Sequence, residues 1–209
     1  MSILGTRVVR TEDPRLLTKG GTYVDDMRLP GMARVTFVRS PVAHAMITGV
    51  DTSAALAAPG VVAALTAADL TDLGPPPPDD GSAPNEAAPL PLGGPWAEPL
   101  LAVDRVRYVG EPVAMVITDD RYQGEDAAEL VSVDYDALPA VVGYDAALEG
   151  STLLFPAAET NVAISGGAPA DDSAFEGCEV VVERTIENQR LAPVPMEGRA
   201  AAATWRTAS

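Results

Sequence analysis

One cysteine and one histidine among 209 residues exclude two classes of site at the outset. Cys178 has no partner for an intramolecular disulfide, and with His44 as its sole companion it cannot assemble the four soft ligands of a structural zinc site. A disulfide scaffold is ruled out, and a reducing, cytoplasmic setting is expected. Aromatic side chains make up only 5% of the chain, so the core must be aliphatic and small, with few flat surfaces for stacking a ligand. No run approaches the roughly 18 apolar residues of a membrane-spanning helix, and Val8-Val9 between Arg7 and Arg10 is no signal-peptide core. The expectation is a soluble, unanchored protein. Basic residues are scarce as well: 14 Lys and Arg against 30 Asp and Glu leave a net charge of -16, which repels nucleic-acid phosphates and anionic lipid. Neither nucleic acid nor membrane is an expected partner, and the acidity reads as a means of solubility.

What is present suits a buried core: 47% hydrophobic residues over a length that allows one or two domains. Arg10 to Asp26, punctuated by Pro14 and Gly20-Gly21, reads as an irregular arm ending in a short strand. Val35, Phe37 and Arg39 share one face of a strand by the period-two rule, and a second strand over Ala45 to Val50 follows the Ser40-Pro41 turn. Asp51-Thr52-Ser53 offers caps to a short helix in SAALAA, which Pro59-Gly60 stops; Val61 to Ala67 is a buried strand, and Thr66 with Asp69 forms a capping box. From Thr71 to Pro99 a proline tetrad and five further prolines exclude sheet structure and point to a surface excursion. Order returns with PVAMVIT as a strand. A helix follows, begun by Asp120 and Gln123 with Ala127, Leu130 and Val131 on one face, and then VSVDY as a strand, together a strand-helix-strand unit. The first 140 residues or so form one α+β domain. Beyond it, EVVVERTIENQ and RAAAATW read as two strands around the Pro193-Val194-Pro195 bend, too few to make a domain.

Candidate chemistry is sparse. His44 is the one imidazole available as a general base, but it sits in a turn-to-strand motif without a nearby acid or hydroxyl partner in sequence, which favours a structural role. Gly110-Glu111-Pro112 resembles the start of an acid/base site and is better explained as a turn, with Gly110 supplying permissive dihedrals. Glu197 and Arg199 suit either a domain bridge or an ordinary ion pair. Gly166-Gly167 lacks the spacing of a phosphate loop. The carboxylate pairs Asp25-Asp26, Asp79-Asp80, Asp119-Asp120 and Asp171-Asp172 are turns or caps, because adjacent strand residues point to opposite faces. No catalytic, cofactor-binding or metal-binding residue is assigned.

Seven segments, in order, resemble one family: EDPRLLT (Glu12 to Thr18), YVDD (Tyr23 to Asp26), RSPVAHAMI (Arg39 to Ile47), PGVVAALTAADL (Pro59 to Leu70), VRYVGEPVAMVI (Val106 to Ile117), YQGEDAAELVSVDYDALPAV (Tyr122 to Val141) and APVPMEGRAAAATW (Ala192 to Trp205). They look like the amino-terminal part of the large subunit of molybdenum hydroxylases, the group of xanthine dehydrogenase, aldehyde oxidase and aerobic carbon monoxide dehydrogenase. The resemblance covers nearly all of the chain outside the proline-rich stretch. It implies an arm over residues 1–19, an α/β hammerhead domain over 20–148 with a proline-rich loop at 71–99, and a linker with the first strands of a molybdopterin-binding domain over 149–209. It further implies a complete enzyme that hydroxylates carbon monoxide, an aldehyde or an N-heterocycle. That enzyme would carry molybdopterin, in its cytosine dinucleotide form, with FAD and 2Fe-2S in partner subunits. The family's glycine-rich cofactor loops and catalytic glutamate have no match here, so this chain is expected to be inactive alone and to bind no molybdenum. Where the family often has a histidine two residues before His44, this chain has Val42. The competing expectation is a stand-alone interaction or assembly module of the same descent.

Overall fold

A computed structural model of the chain describes residues 10–73, 94–96, 98–166, 172–195 and 197–204. The proline tetrad, Asp79-Asp80, Gly167 and Asp171 lie outside the described residues. The chain divides into two compact units, Gly31–Ala170 and a second formed by Met1–Pro30 with Asp171–Ser209.

The unit Gly31–Ala170 is built from two three-stranded antiparallel sheets. In the first, β5 (Pro112–Thr118) lies between β1 (Arg34–Arg39) and β3 (Val61–Thr66), with Phe37 opposite Met115 and Ala64 opposite Val116. Its central place explains the unbroken apolar run PVAMVIT: both faces are covered, and Val113, Ala114, Val116 and Thr118 are buried. Pro112 is tolerated because it opens the strand. In the second sheet, β2 (Ala45–Asp51) lies between β4 (Arg105–Val106) and β6 (Ser132–Ala137), with Ala45 opposite both Val106 and Ala137. The expected strand-helix-strand succession is present. β5 and β6 flank helix α3 (Arg121–Ala128) but belong to different sheets, because each finds its antiparallel partners elsewhere in the chain.

Helix α3 begins where Asp120 Oδ1 accepts the Tyr122 amide at 2.9 Å, and it packs across β1 and β5. It ends at Ala128, so of the three residues expected on one helical face only Ala127 is helical and buried; Leu130 lies past the end and is largely exposed. The core joining the sheets is small and aliphatic: Ala45, Ala102, Val106 and Val113, with Val42, Ile47, Val50, Val133 and Tyr135 packed against it. Val35, Phe37 and Arg39 do share a face, since the Arg39 guanidinium stands 5.5 Å from the Phe37 ring centroid, but Val35 and Arg39 are exposed there. Helix α4 (Tyr144–Glu149) closes with Gly150 in the left-handed region, at φ 66°. Asn161 then staples the next loop, donating to the carbonyls of Ala147 and Thr152 and accepting the Leu154 amide.

After α2 (Ser53–Leu56) and β3, the turn into the helical segment Ala67–Leu73 is set by Asp69, whose Oδ2 accepts from the Thr66 amide at 2.8 Å and its hydroxyl at 2.9 Å. The backbone bond, then the hydroxyl, holds the Asp69 carboxyl below its ordinary value of 3.8, and hydrogen bonds from Ser53 act likewise on Asp51. A depressed carboxyl contributes stability that is complete above the unfolded value and lost as pH falls through the folded one. The unfolding midpoint of Asp69→Ala should therefore lie below wild type at pH 5, and the difference should shrink below pH 3.8. An unchanged gap in urea titrations at both pH values would refute this.

In the other unit the expected irregular arm is corrected: Asp13–Lys19 forms helix α1, with Pro14 in its first turn, Lys19 in its last and Gly20 at φ 75° past its end. Tyr23 to Asp26 is a 3-10 turn over Val24–Asp26 rather than a strand. The expected strands at 179–189 and 199–205 are also not found among the described residues, since no residue of 177–195 or 199–204 is in a helix or strand and Trp205 lies outside the described residues. A strand needs a neighbour to satisfy its backbone, and the described residues provide none there.

Candidate functional site

The most elaborated polar cluster lies where the two sheets meet. The bend from β1 to β2 and the turn from β4 to β5 are stitched together by backbone bonds. The Ser40 amide donates to the Glu111 carbonyl at 2.9 Å, the Gly110 amide donates to the Ser40 carbonyl at 2.8 Å, and Arg39 Nη1 donates to the Gly110 carbonyl at 2.9 Å. Gly110 has φ 97°, the permissive conformation expected of it. Ser40, 2% exposed, closes the first bend by donating to the Val42 carbonyl and accepting the Val42 amide.

Glu111 is more than a turn residue. Its side chain is 5% exposed and meets Arg107, 12% exposed, whose Nη1 donates to Oε1 at 3.1 Å while the Arg107 amide donates to Oε2. The Arg107 guanidinium also lies 4.8 Å from the Phe155 ring centroid, and Trp96 packs on the far part of this group at 5.3 Å from Phe155. Burial, and then the negative charges of Glu98 and Glu111, push the nearby Tyr108 phenol up. Burial raises the Tyr135 phenol too, offset in part by its hydrogen bond with Ser40. Pairs four residues apart signal contact only on a helix, so this ion pair had no mark in the sequence.

His44 is 5% exposed, with Nδ1 at 2.7 Å from the Pro139 carbonyl oxygen, which assigns the proton to Nδ1. Its Nε2 is buried, and among the described residues it has no hydrogen-bond partner and no carboxylate or hydroxyl pairs with the ring. The imidazole anchors the segment after β6 to the β1–β2 bend. Glu197 accepts the Val24 amide at 3.4 Å and makes no ion pair with Arg199. Asp120 caps α3 as expected of a turn or cap residue.

A cleft of about 410 Å³ opens along β2 and the end of β3, lined by residues including Ile47, Val50, Ala68, Val103 and Val113. Its described lining is apolar, glycine or threonine, with no carboxylate, imidazole, amine or thiol to act as acid or base or to activate a hydroxyl. Among the described residues no three His, Cys, Asp or Glu side chains converge on a point. The site is thus a stiff corner beside an apolar cleft, with no reactive set.

The family profile described as "Aldehyde oxidase and xanthine dehydrogenase, a/b hammerhead domain" matches residues 18–139, more than half of the chain. The chain belongs to this family. Among curated relatives, the hammerhead chain is 40% identical over 207 residues to the nicotine 6-hydroxylase large subunit of Paenarthrobacter nicotinovorans, a match covering 98% of this chain and 24% of that protein. It is 35% identical over 210 residues to the carbon monoxide dehydrogenase large chain of Afipia carboxidovorans, covering 93% and 24%. The crystal structure of the Cu,Mo-CO dehydrogenase superposes with a TM-score of 0.56 at 40% identity, over 71% of this chain and 17% of that one. Quinoline 2-oxidoreductase from Pseudomonas putida 86 gives 0.55 at 40%, over 71% and 18%. The hammerhead chain thus spans about a quarter of the length of the curated relatives it matches.

Proposed function

We propose that this hammerhead chain is the amino-terminal scaffold portion of a molybdenum-hydroxylase large subunit, a wall and docking platform that is not catalytic by itself. The observation that carries the reading is the match to a hydroxylase large subunit over 98% of the chain, joined to a cleft whose described lining carries no carboxylate, imidazole, amine or thiol. Residues 1–19 would be an arm, 20–148 the hammerhead with its loop at 71–99, and 149–209 the lead into the molybdopterin-binding domain. The complete enzyme would hydroxylate carbon monoxide, an aldehyde or an N-heterocycle in the cytoplasm, with FAD and 2Fe-2S subunits as partners.

Molybdopterin, as its cytosine dinucleotide, would supply the oxygen transfer and accept the electrons. The described residues do not fit its cage. The orphaned buried atoms His44 Nε2, Arg107 Nε and Gln123 Oε1 belong to side chains that do not line the cleft, and no metal-binding cluster is present among the described residues. No chemical step is therefore routed through this chain. Its contribution is rigidity: the stitched corner at Ser40, Gly110 and Glu111 holds the walls of the cleft in fixed relation. Elemental analysis of the purified 209-residue protein should find no molybdenum, and assays with carbon monoxide, aldehydes and quinoline should show no turnover. Stoichiometric metal or turnover would overturn the proposal.

A further inference from the structure

Residues 151–164 add nothing to the aliphatic core, and none of them is fully buried. Among the described residues their backbone hydrogen bonds are local. The Ala158 amide donates to the Phe155 carbonyl and the Glu159 amide to that of Pro156, while the Asn161 side chain accepts from Leu154 and donates to Thr152. Glu159 turns the chain back at φ 56°, a left-handed conformation that a glutamate holds only where its surroundings fix it. The stretch 152–161 is a strap closed by its own bonds, and segments of that kind can open without the rest of a domain.

The strap rests on a charge. Its Phe155 ring lies 4.8 Å from the Arg107 guanidinium, and Trp96 packs on the same ring at 5.3 Å between centroids. Glu111, Asp104 and the Arg105 carbonyl take the terminal nitrogens of that guanidinium, whereas its Nε is buried and has no partner among the described residues. Seating the ring gains a cation-π contact and aromatic packing. Enclosing a donor without an acceptor costs free energy that water would return, so the seated state is opposed from within. We infer that the strap 152–161 is a detachable cover: it lifts off the Arg107–Glu111 pair as a unit, admits water to Nε and loosens the corner while both sheets stay folded. The stiffness of the corner is then conditional on Phe155 being seated. This goes beyond the scaffold reading and stands or falls without it.

Amide exchange in the whole 209-residue chain, followed residue by residue by NMR, tests this. The Leu154 amide, held by Asn161, reports the strap, and the Arg107 amide, held by Glu111, reports the corner. Both should exchange about tenfold or more faster than the amides of the central strand β5. Asn161 makes its hydrogen bonds to Ala147, Thr152 and Leu154 and none to Arg107 or Glu111. Asn161→Ala should nonetheless speed exchange at the Arg107 amide by about tenfold or more, with β5 changed by less than about twofold. Phe155→Ala should do the same and, in a Trp205→Phe background, move the Trp96 emission to the red. An Arg107 amide indifferent to either substitution overturns the inference. So does acceleration of the β5 amides by the same factor, since the strap would then open only with the whole unit.

Discussion

Replacing Glu111 by alanine is expected to destabilise the Gly31–Ala170 unit by about 2–4 kcal/mol, because it leaves the enclosed Arg107 guanidinium with only the half-exposed Asp104, 3.8 Å away, as counter-charge. The Arg107 and Glu111 side chains are only 12% and 5% exposed, so water cannot replace what is lost. The Arg107 amide loses its acceptor in the same substitution. By contrast the surface pair Arg10–Asp13, with side chains 65% and 45% exposed, belongs to the class worth about 0–1 kcal/mol. Against a total stability of about 5–15 kcal/mol for a domain, the Glu111 change should shift the urea midpoint by a large fraction of its value at unchanged slope. Arg107→Met combined with Glu111→Leu should recover much of the loss, since removing both charges also removes the desolvation cost. A Glu111→Ala loss below 1 kcal/mol would mean that solvent reaches the pair and that the corner owes its stiffness to the backbone bonds alone.

The parts of this fold that are plain in the sequence are those where pattern and burial coincide. PVAMVIT announces β5 because a central strand covered on both faces has no reason to alternate, and Asp120 announces α3 because its side chain has one obvious use. Helix α1 escapes notice because it buries nothing: its seven residues lack an apolar stripe, and only Pro14 and Gly20 mark its ends. The split into two sheets is invisible for another reason. The spacing of β5, α3 and β6 is that of a crossover unit, and only long-range partners, β1 and β3 for β5 and β2 for β6, separate them. Strand pattern at Glu179–Glu187 is legible in the residues yet unrealised in the chain, since alternation specifies a willing strand and not its neighbour. At the site, Gly110 was readable from its own backbone demand, whereas the Arg107–Glu111 pair arises from a turn whose path the local sequence does not dictate.

Close packing of α3 on the first sheet leads to the second large effect. Gly124 is buried at the crossing, and a Cβ there would stand 2.4 Å from Thr36 Oγ1, 3.1 Å from Thr118 Oγ1 and 3.3 Å from Thr36 Cβ. On an exposed helix, alanine would be favoured over glycine by about 1 kcal/mol. Here the contact reverses the sign: Gly124→Ala should cost about 1–3 kcal/mol, the range for an overfilled core. Thr118 cannot turn away cheaply, since its hydroxyl donates to the Asp120 carbonyl at 2.7 Å and so helps to set the start of α3. Thr36 is the side chain free to give, and adding Thr36→Ala to Gly124→Ala should restore part of the stability while the 3.1 Å contact keeps the rest unrecovered. A double-mutant cycle reads this as a coupling between the two positions; strictly additive effects would show that the helix is not seated on β1 through this contact.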